Sequence, residues 1–321
     1  MHPAEASGQT DYRGLAHRMG RETLERRIRK QAGLWARSVH QGRGFFRLER
    51  LIPLDALIAT ALKLSGFAGV GRKNFLDVRK VSHGLCLPDL PVAFEGFRLL
   101  QLSDLHCDLE PALIEVVIKK LEGLAYDAVV LTGDYHNKIA GGHDASLELM
   151  GRLAAHLKPP GFAILGNHDF LEKVVYLEEA GLTVLLNEAR SIERGGERLW
   201  ICGVDDPHYF QTHDLKKAMA PVGAGETSIL LSHSPETYLE AAALGYSAML
   251  SGHTHGGQLC LPGGFALLKN APIPRRLLAG PWSQGTLQGY TSRGTGGCGV
   301  AARFFCPPEM TIHTLRRAPG Y

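Results

Sequence analysis

Between residues 99 and 250 the chain alternates short apolar runs with segments whose apolar positions recur every three or four residues. Residues 99–103, 128–132, 162–165, 229–232 and 248–250 are short and nearly continuously apolar, which predicts strands buried on both faces. Residues 113–121, 147–157 and 174–179 carry the helical period. Arg194-Gly195-Gly196-Glu197 predicts a hairpin turn between strands at 189–193 and 198–203. Pro235 behind Ser234 predicts a capped helix start. Residues 286–290, 300–305 and 310–315 read as a closing set of strands. Strands and helices alternating in this way predict an α/β fold with a mixed sheet system and helices outside.

The first ninety residues have a different pattern. Residues 1–12 are polar and predict a disordered tail. Leu24, Ile28, Trp35 and Val39 then recur at helical spacing with arginines on the other faces, and Gly42 and Gly44 end that helix. A more apolar segment covers residues 45–64, but Pro53, Asp55 and Lys63 interrupt it, so a membrane span is not expected. Asp55, Ala59 and Lys63 share one stripe, which predicts an amphipathic helix either on a membrane surface or packed on the body. Pro88 and Pro91 place a boundary near residue 91, giving an extension over 13–90 and a main domain over 91–321.

Charge sharpens this division. Residues 1–80 hold 16 Lys+Arg against 7 Asp+Glu, a net +9; the whole chain is only +3, so the remaining 241 residues carry −6. A basic segment attached to an acidic body predicts an anionic partner, such as an anionic membrane surface, or else docking on the body itself. The six cysteines are scattered without a Cys-x-x-Cys pair, so neither a disulfide framework nor a zinc knuckle is expected. Residues 1–50 contain no apolar core of a signal peptide, and Arg26-Arg27 is not followed by an apolar stretch. A cytoplasmic protein peripheral to the cytoplasmic membrane is the expectation.

Five motifs concentrate the chemistry: Asp104-Leu105-His106, Gly133-Asp134, Gly166-Asn167-His168-Asp169, His233, and Gly252-His253-Thr254-His255. Each ends an apolar, strand-like run, where a loop can present side chains to a shared pocket. Spacing of two puts Asp104 with His106, and His253 with His255, on one face of extended chain. Asp134 offers two oxygens and can bridge two cations, and Asn167 adds a neutral carbonyl oxygen. Carboxylate, imidazole and amide donors suit Mn²⁺, Fe or Zn²⁺ and argue against Ca²⁺. Two divalent ions, with manganese favoured, are the expected cofactors.

The ordered motif set resembles the calcineurin-like metallophosphoesterases over about residues 95–316. Gly252–Gln258, Gly203-Val204-Asp205-Asp206-Pro207 and Arg303-Phe304-Phe305-Cys306-Pro307-Pro308-Glu309 narrow the likeness to a bacterial branch. That branch includes YkuE- and YaeI-type phosphodiesterases and LpxG-type UDP-2,3-diacylglucosamine pyrophosphatases. The resemblance implies a four-layer α/β/β/α sandwich of two packed mixed sheets behind a helical N-terminal extension. It implies one metal on Asp104, His106, Asp134 and His255, and a second on Asp134, Asn167, His233 and His253. It implies hydrolysis of a phosphodiester or pyrophosphate bond by direct attack of a bridging hydroxide, with His168 facing the leaving oxygen. A lipid-linked substrate of the UDP-2,3-diacylglucosamine kind, in lipid A biosynthesis, follows from the branch.

The departures matter too. The protein phosphatases of the superfamily continue the second motif as Gly-Asp-x-x-Asp-Arg-Gly, whereas here Tyr135-His136-Asn137-Lys138 follows, so protein phosphatase activity is not expected. Asn137 stands where a residue orients the catalytic histidine, and Asn137, Asp169 and Arg293 are candidates for supporting the ligands or the substrate. Arg275-Arg276 is a weaker phosphate candidate. Gly294-x-Gly296-x-x-Gly299 spells a dinucleotide fingerprint, but no helix is expected after it, so it reads as a turn. His136 and His208 could line a pocket, His143 and His213 read as solvated, and Asp205-Asp206 reads as a turn before Pro207, with a third metal site or a support for the ligands as the alternative. Nucleic acid is a disfavoured partner because the body is acidic. The alternatives are a soluble cyclic-nucleotide or nucleic-acid phosphodiesterase and a non-enzymatic metal-binding scaffold.

Overall fold

The computed structural model describes residues 10–40, 54–137, 144–267 and 269–318. Its strands form two six-stranded sheets. The first runs β1-β14-β2-β3-β4-β5, with β1 Arg79–Leu87, β2 Arg98–Leu102, β3 Ala128–Leu131, β4 Gly161–Ala163, β5 Thr183–Val184 and β14 Glu309–Arg317. The second runs β12-β13-β9-β8-β7-β6, with β6 Glu188–Arg194, β7 Glu197–Gly203, β8 Ser228–Leu231, β9 Ala248–Ser251, β12 Gly280–Gln284 and β13 Leu287–Thr291. A small hairpin pairs β10 Cys260–Leu261 with β11 Phe265–Ala266.

Side-chain alternation sets the layers. Leu99, Ala128 and Val130 point into a core shared with Leu199, Ile201, Ile229, Leu231, Ala248 and Leu250 of the other sheet. Their strand neighbours Leu100, Leu102, Val129 and Leu131 face a helical layer of α5 Ala112–Leu121, α6 Asp144–Ala154 and α7 Lys173–Glu179. Trp200, Cys202, Leu230 and Met249 face a third core with α8 Leu215–Met219 and α9 Tyr238–Ala243. Both faces of the inner strands are therefore buried, which is why the runs read as continuously apolar. The architecture is the expected four-layer arrangement of two packed mixed sheets between helices.

The N-terminal extension is α1 Tyr12–Met19, α2 Arg21–His40, α3 Leu54–Leu64 and α4 Ala68–Leu76. Asp11 caps α1 through the amides of Arg13 and Gly14, and Gly20 separates α1 from α2. Leu15, Met19 and Leu24 enter the first helical core. Residues 1–9, the Trp35 and Val39 side chains, residues 41–53 and His143 lie outside the described residues, while Asp11 and Tyr12, expected in the disordered tail, are ordered as the cap and first residue of α1.

Four expectations need correction. The arginines of α2 are not all on solvated faces, since Arg27 is completely buried. Residues 300–305 form no strand: Phe304 makes one isolated bridge to Leu259, and their carbonyls serve side chains instead of a ladder. Ser234 makes no capping hydrogen bond, and a 3₁₀ turn at Pro235–Thr237 precedes α9. Strand β1 precedes the boundary at residue 91 and pairs in parallel with β14, so the sheet begins inside the extension.

Candidate metal centre

Strands β2, β3 and β4 run parallel, as do β7, β8, β9 and β13. Their carboxyl ends deliver all five motifs to one place, where loops in such sheets bind ligands. Asp104 and His106 follow β2, Asp134 follows β3, Asn167 to Asp169 follow β4, His233 follows β8, and His253 and His255 follow β9. The loops make sharp turns to do so. Asp104, His106, Asp134, His253 and His255 all sit at positive φ, between 39° and 66°. Non-glycine residues are rarely held there except at functional sites. Close approach explains two of the motif glycines: a Cβ on Gly166 would lie 2.2 Å from Asp134 Oδ1, and one on Gly252 2.3 Å from Asp104 Oδ2.

Backbone carbonyls fix the imidazoles. His106 Nδ1 bonds the carbonyl of His136 at 2.9 Å, and His233 Nδ1 that of Thr132 at 2.8 Å. Each thereby turns Nε2 inward, the outer-partner arrangement common to metal-binding histidines. Asp134 Oδ2 lies 3.6 Å from His106 Nε2 and 3.2 Å from His233 Nε2, whose other near neighbour is Asn167 Oδ1 at 3.0 Å. Asp134 Oδ1 accepts from the His168 amide. Ser103 Oγ donates to Asp104 at 2.6 Å, and the His253 amide bonds the same carboxylate. His255 Nε2 stands 3.6 Å from Asp104 Oδ1.

Two groups of donors each close to within 4.8 Å, Asp104–His106–Asp134 and Asp134–His233–His253, and Asp134 is common to both. Burial pushes the Asp104 carboxyl up to about 6 against the pull of His233. Burial opposes charge on Asp134 too, but the imidazoles of His233, His168 and His106 hold it well below the usual carboxylate range. Burial likewise works against charge on His233, and the Asp134 carboxylate overrides it, raising the imidazole to about 10. Burial takes His106 down to about 4 and holds His253 and His255 well below the ordinary imidazole value. Neutral imidazoles are the form that binds cations. His106 Nε2 and His255 Nδ1 are buried without hydrogen-bond partners. Buried donors left unpaired beside two carboxylates fit divalent cations.

The supporting residues fall into place around this core. Asp169 accepts from the amides of Asp134, Tyr135 and Gly166 and pairs with buried Lys173 at 2.8 Å. His168 Nδ1 bonds the backbone carbonyl of Asn137, not its side chain; Asn137 Oδ1 instead accepts from Gly299. Arg293 is paired with Glu309. Arg275 and Arg276 bond the carbonyls of Ala266 and Ser283. Asp205 pairs with Arg27, Asp206 accepts from the amides of His208, Tyr209 and Phe210, and among the described residues neither belongs to a candidate donor group. His208 packs its ring 4.1 Å from that of His253 and bonds Glu236. His136 bonds Ser146 beneath the site, and His213 Nδ1 is buried, contrary to a solvated reading.

Two residues at the site lie in motifs that the sequence did not tie to the metal centre. Arg303, fully buried, bonds the carbonyls of Arg293, Gly296, His255 and Cys306 and so ties the loop after β13 to the last histidine motif. Cys298, in the same loop, places Sγ 3.9 Å from His168 Nε2.

Comparison with known proteins agrees with this geometry. The profile described as "Calcineurin-like phosphoesterase" matches residues 97–257. The uncharacterized metallophosphoesterase YkuE of Bacillus subtilis is 30% identical over 81% of this chain and 94% of its own length. YkoQ of the same organism, also an uncharacterized metallophosphoesterase, is 29% identical over 76% of this chain and 92% of its own. The UDP-2,3-diacylglucosamine pyrophosphatase LpxG of Chlamydia muridarum is 24% identical over 81% of this chain and 95% of its own. Two mixed sheets, parallel strand ends that converge on one histidine and carboxylate cluster, and a profile that spans all five motifs place this chain in the calcineurin-like phosphoesterase family.

Proposed function

We propose that this enzyme hydrolyses a phosphodiester or pyrophosphate bond in an acylated, nucleotide-like substrate of the UDP-2,3-diacylglucosamine kind, at the cytoplasmic surface of a membrane. The observation that carries the hydrolytic part is the position of Asp134, shared by two groups of buried donors. Cations held by Asp104, His106, Asp134 and His255, and by Asp134, Asn167, His233 and His253, would supply Lewis acidity and a water that ionises near neutral pH. The protein does the rest. Asp169 fixes the backbone at Asp134, and the His106 and His233 rings are held by carbonyls. His168, with Nδ1 on the Asn137 carbonyl, keeps Nε2 turned toward the cluster, where it can pass a proton to a departing oxygen. A scaffold role needs none of this arrangement.

The acylated substrate and the membrane rest on other features. LpxG, a relative along most of its length, is named for a diacylated substrate. Helix α3 buries none of its side chains, and Leu54, Leu57 and Leu64 are 58%, 54% and 85% exposed. It lies beside the site, with the Asp55 carboxylate against Gly299. Phe67 and Val70 near α4, and Phe265 and Phe305 across the loop, are exposed as well. These exposed leucines and phenylalanines support the reading of an apolar interaction face. No single helix among the described residues is long and apolar enough to cross a membrane; α3 and α4 pass such a test only together and bend by 112°.

The test compares bis(p-nitrophenyl) phosphate with UDP-2,3-diacylglucosamine presented in anionic vesicles. His168→Ala should lower turnover by roughly 10²–10⁴-fold with metal content intact, and less for p-nitrophenolate than for poorer leaving groups. Equal losses for all leaving groups would reduce His168 to a positioning role. Faster hydrolysis of cyclic nucleotides or nucleic acid than of the acylated substrate would overturn the substrate assignment.

A further inference from the structure

Among the six cysteines, Cys298 alone joins a candidate donor group, with His106 and His255. These three donor atoms lie within 4.8 Å of one another, the compass of one coordination sphere. His106 is completely buried, its Nδ1 is committed to the His136 carbonyl, and its Nε2 has no hydrogen-bond partner. His255 Nδ1 is likewise buried and unpaired. The other cysteines near the site have different partners: Cys306 Sγ contacts the carbonyls of His255 and Gly256, and Cys260 that of Gly256.

The loop holds the sulfur in place. The Cys298 amide donates to Gln258 Oε1 at 2.9 Å, and its carbonyl accepts from Gln258 Nε2 at 3.0 Å. The next amide, of Gly299, donates to Asn137 Oδ1 at 3.0 Å. Asn137 and Gln258 thus clamp the residue from both sides, and the same Asn137 orients His168 through its carbonyl. A backbone held by three hydrogen bonds, with its sulfur within 4.8 Å of a nitrogen of His106 and of His255, is a built donor position.

We infer that Cys298 supplies a sulfur donor to the cation held by His106 and His255, which makes the two halves of the metal centre unequal in softness. The inference rests on the binuclear reading above and deepens it. A thiolate donor selects zinc or iron over manganese at that position, while the Asp134, Asn167, His233 and His253 half keeps only nitrogen and oxygen donors. The manganese expected from the overall composition would then fit the second half alone.

The experiment loads the full chain with Co²⁺ alone and reads the sulfur-to-cobalt charge-transfer absorption in the near ultraviolet, with bound cobalt counted per chain. The wild type should show the band with two cobalt ions bound. Cys298→Ser should lose the band and keep bound cobalt, and Cys306→Ser should retain it. X-ray absorption of the zinc-loaded wild type gives a measure independent of any variant: a sulfur scatterer at about 2.3 Å is expected. A wild type that binds two ions with neither the band nor that scatterer overturns the sulfur donor alone. A band that survives in Cys298→Ser also overturns it. A wild type that binds no cobalt and no zinc overturns the metal centre itself, and the sulfur donor with it.

Discussion

The two halves of the N-terminal extension are both helical, the first rich in arginine and the second in leucine, and they do opposite things. Helices α1 and α2 are bound into the body. Arg27 donates to Asp205 at 2.9 Å and to the Asp169 carbonyl at 2.7 Å, and it lies over the Phe210 ring at 3.2 Å. Arg18 pairs with Glu178 and Glu188, Lys30 bonds Tyr209 and Gln211, and Gln31 bonds Glu172. Helix α3 has no fully buried side chain, only Ile58, Ala59 and Leu62 being half-buried, and it touches the loop at Gly299. Positive charge thus serves the first pair of helices as an internal fastening to the acidic body, and the third leaves its leucines exposed. Net charge alone does not show whether a basic segment serves an outside ligand or its own protein.

The contrast can be broken most severely at Arg27. Arg27→Ala leaves Asp205 buried without its partner and should lower unfolding free energy by about 3–5 kcal/mol, read as a shift in the urea midpoint. Since Arg27 also bonds the Asp169 carbonyl, metal content measured on the folded fraction should fall as well. A midpoint unchanged by Arg27→Ala would show that α2 is merely laid on the surface. An intermediate effect is expected at Gln31, whose amide bonds the Glu172 carboxylate in a partly buried position. Gln31→Ala should cost about 1.5–3 kcal/mol, the scale of hydrogen bonds to charged groups. The smallest effect on stability belongs to α3: Leu54→Ser with Leu57→Ser should stay within about 0.5 kcal/mol of wild type per site. The same pair should weaken binding to anionic vesicles and raise KM for an acylated substrate, with kcat for a small phosphodiester unchanged. Vesicle binding that survives the double variant would remove α3 from the membrane reading. A simple N-terminal truncation cannot separate the two regions, because it removes Arg27 before it reaches Leu54.

How much of this was legible without coordinates follows from where each residue finds its partners. The motif residues announced themselves because each ends a strand, and strand ends converge once the runs are buried on both faces. Arg27 did not, since an arginine on a helix is usually solvated and its partner Asp205 is 178 positions away. Residues 300–305 read as a strand, but the Gln258 amide takes up the carbonyls of Val300 and Ala302 and the Asn74 amide that of Arg303, so no ladder forms. Asn137 lies against His168, but its backbone rather than its side chain makes the contact, a distinction that spacing does not encode. Cys298 lacks any motif of its own, and only the fold brings it to His106 and His255.

Strand β14 has a consequence for how the molecule is assembled. It lies between β1 and β2, so His313 meets His83 across 230 positions of chain, and the sheet that carries Asp104 and Asp134 has a gap in it until residues 309–317 arrive. Such distant pairing is slow because loop closure must precede the contacts that reward it. During synthesis β1 and β2 stand as two unpaired edges, open to mispairing. The loop with Arg303 and Cys298 is drawn in by the same closing event, since Thr295 bonds the carbonyls of Ser103 and Glu309. The catalytic pocket is thus completed late, and a ribosome-bound chain lacking residues 309–317 holds five motifs with no finished site.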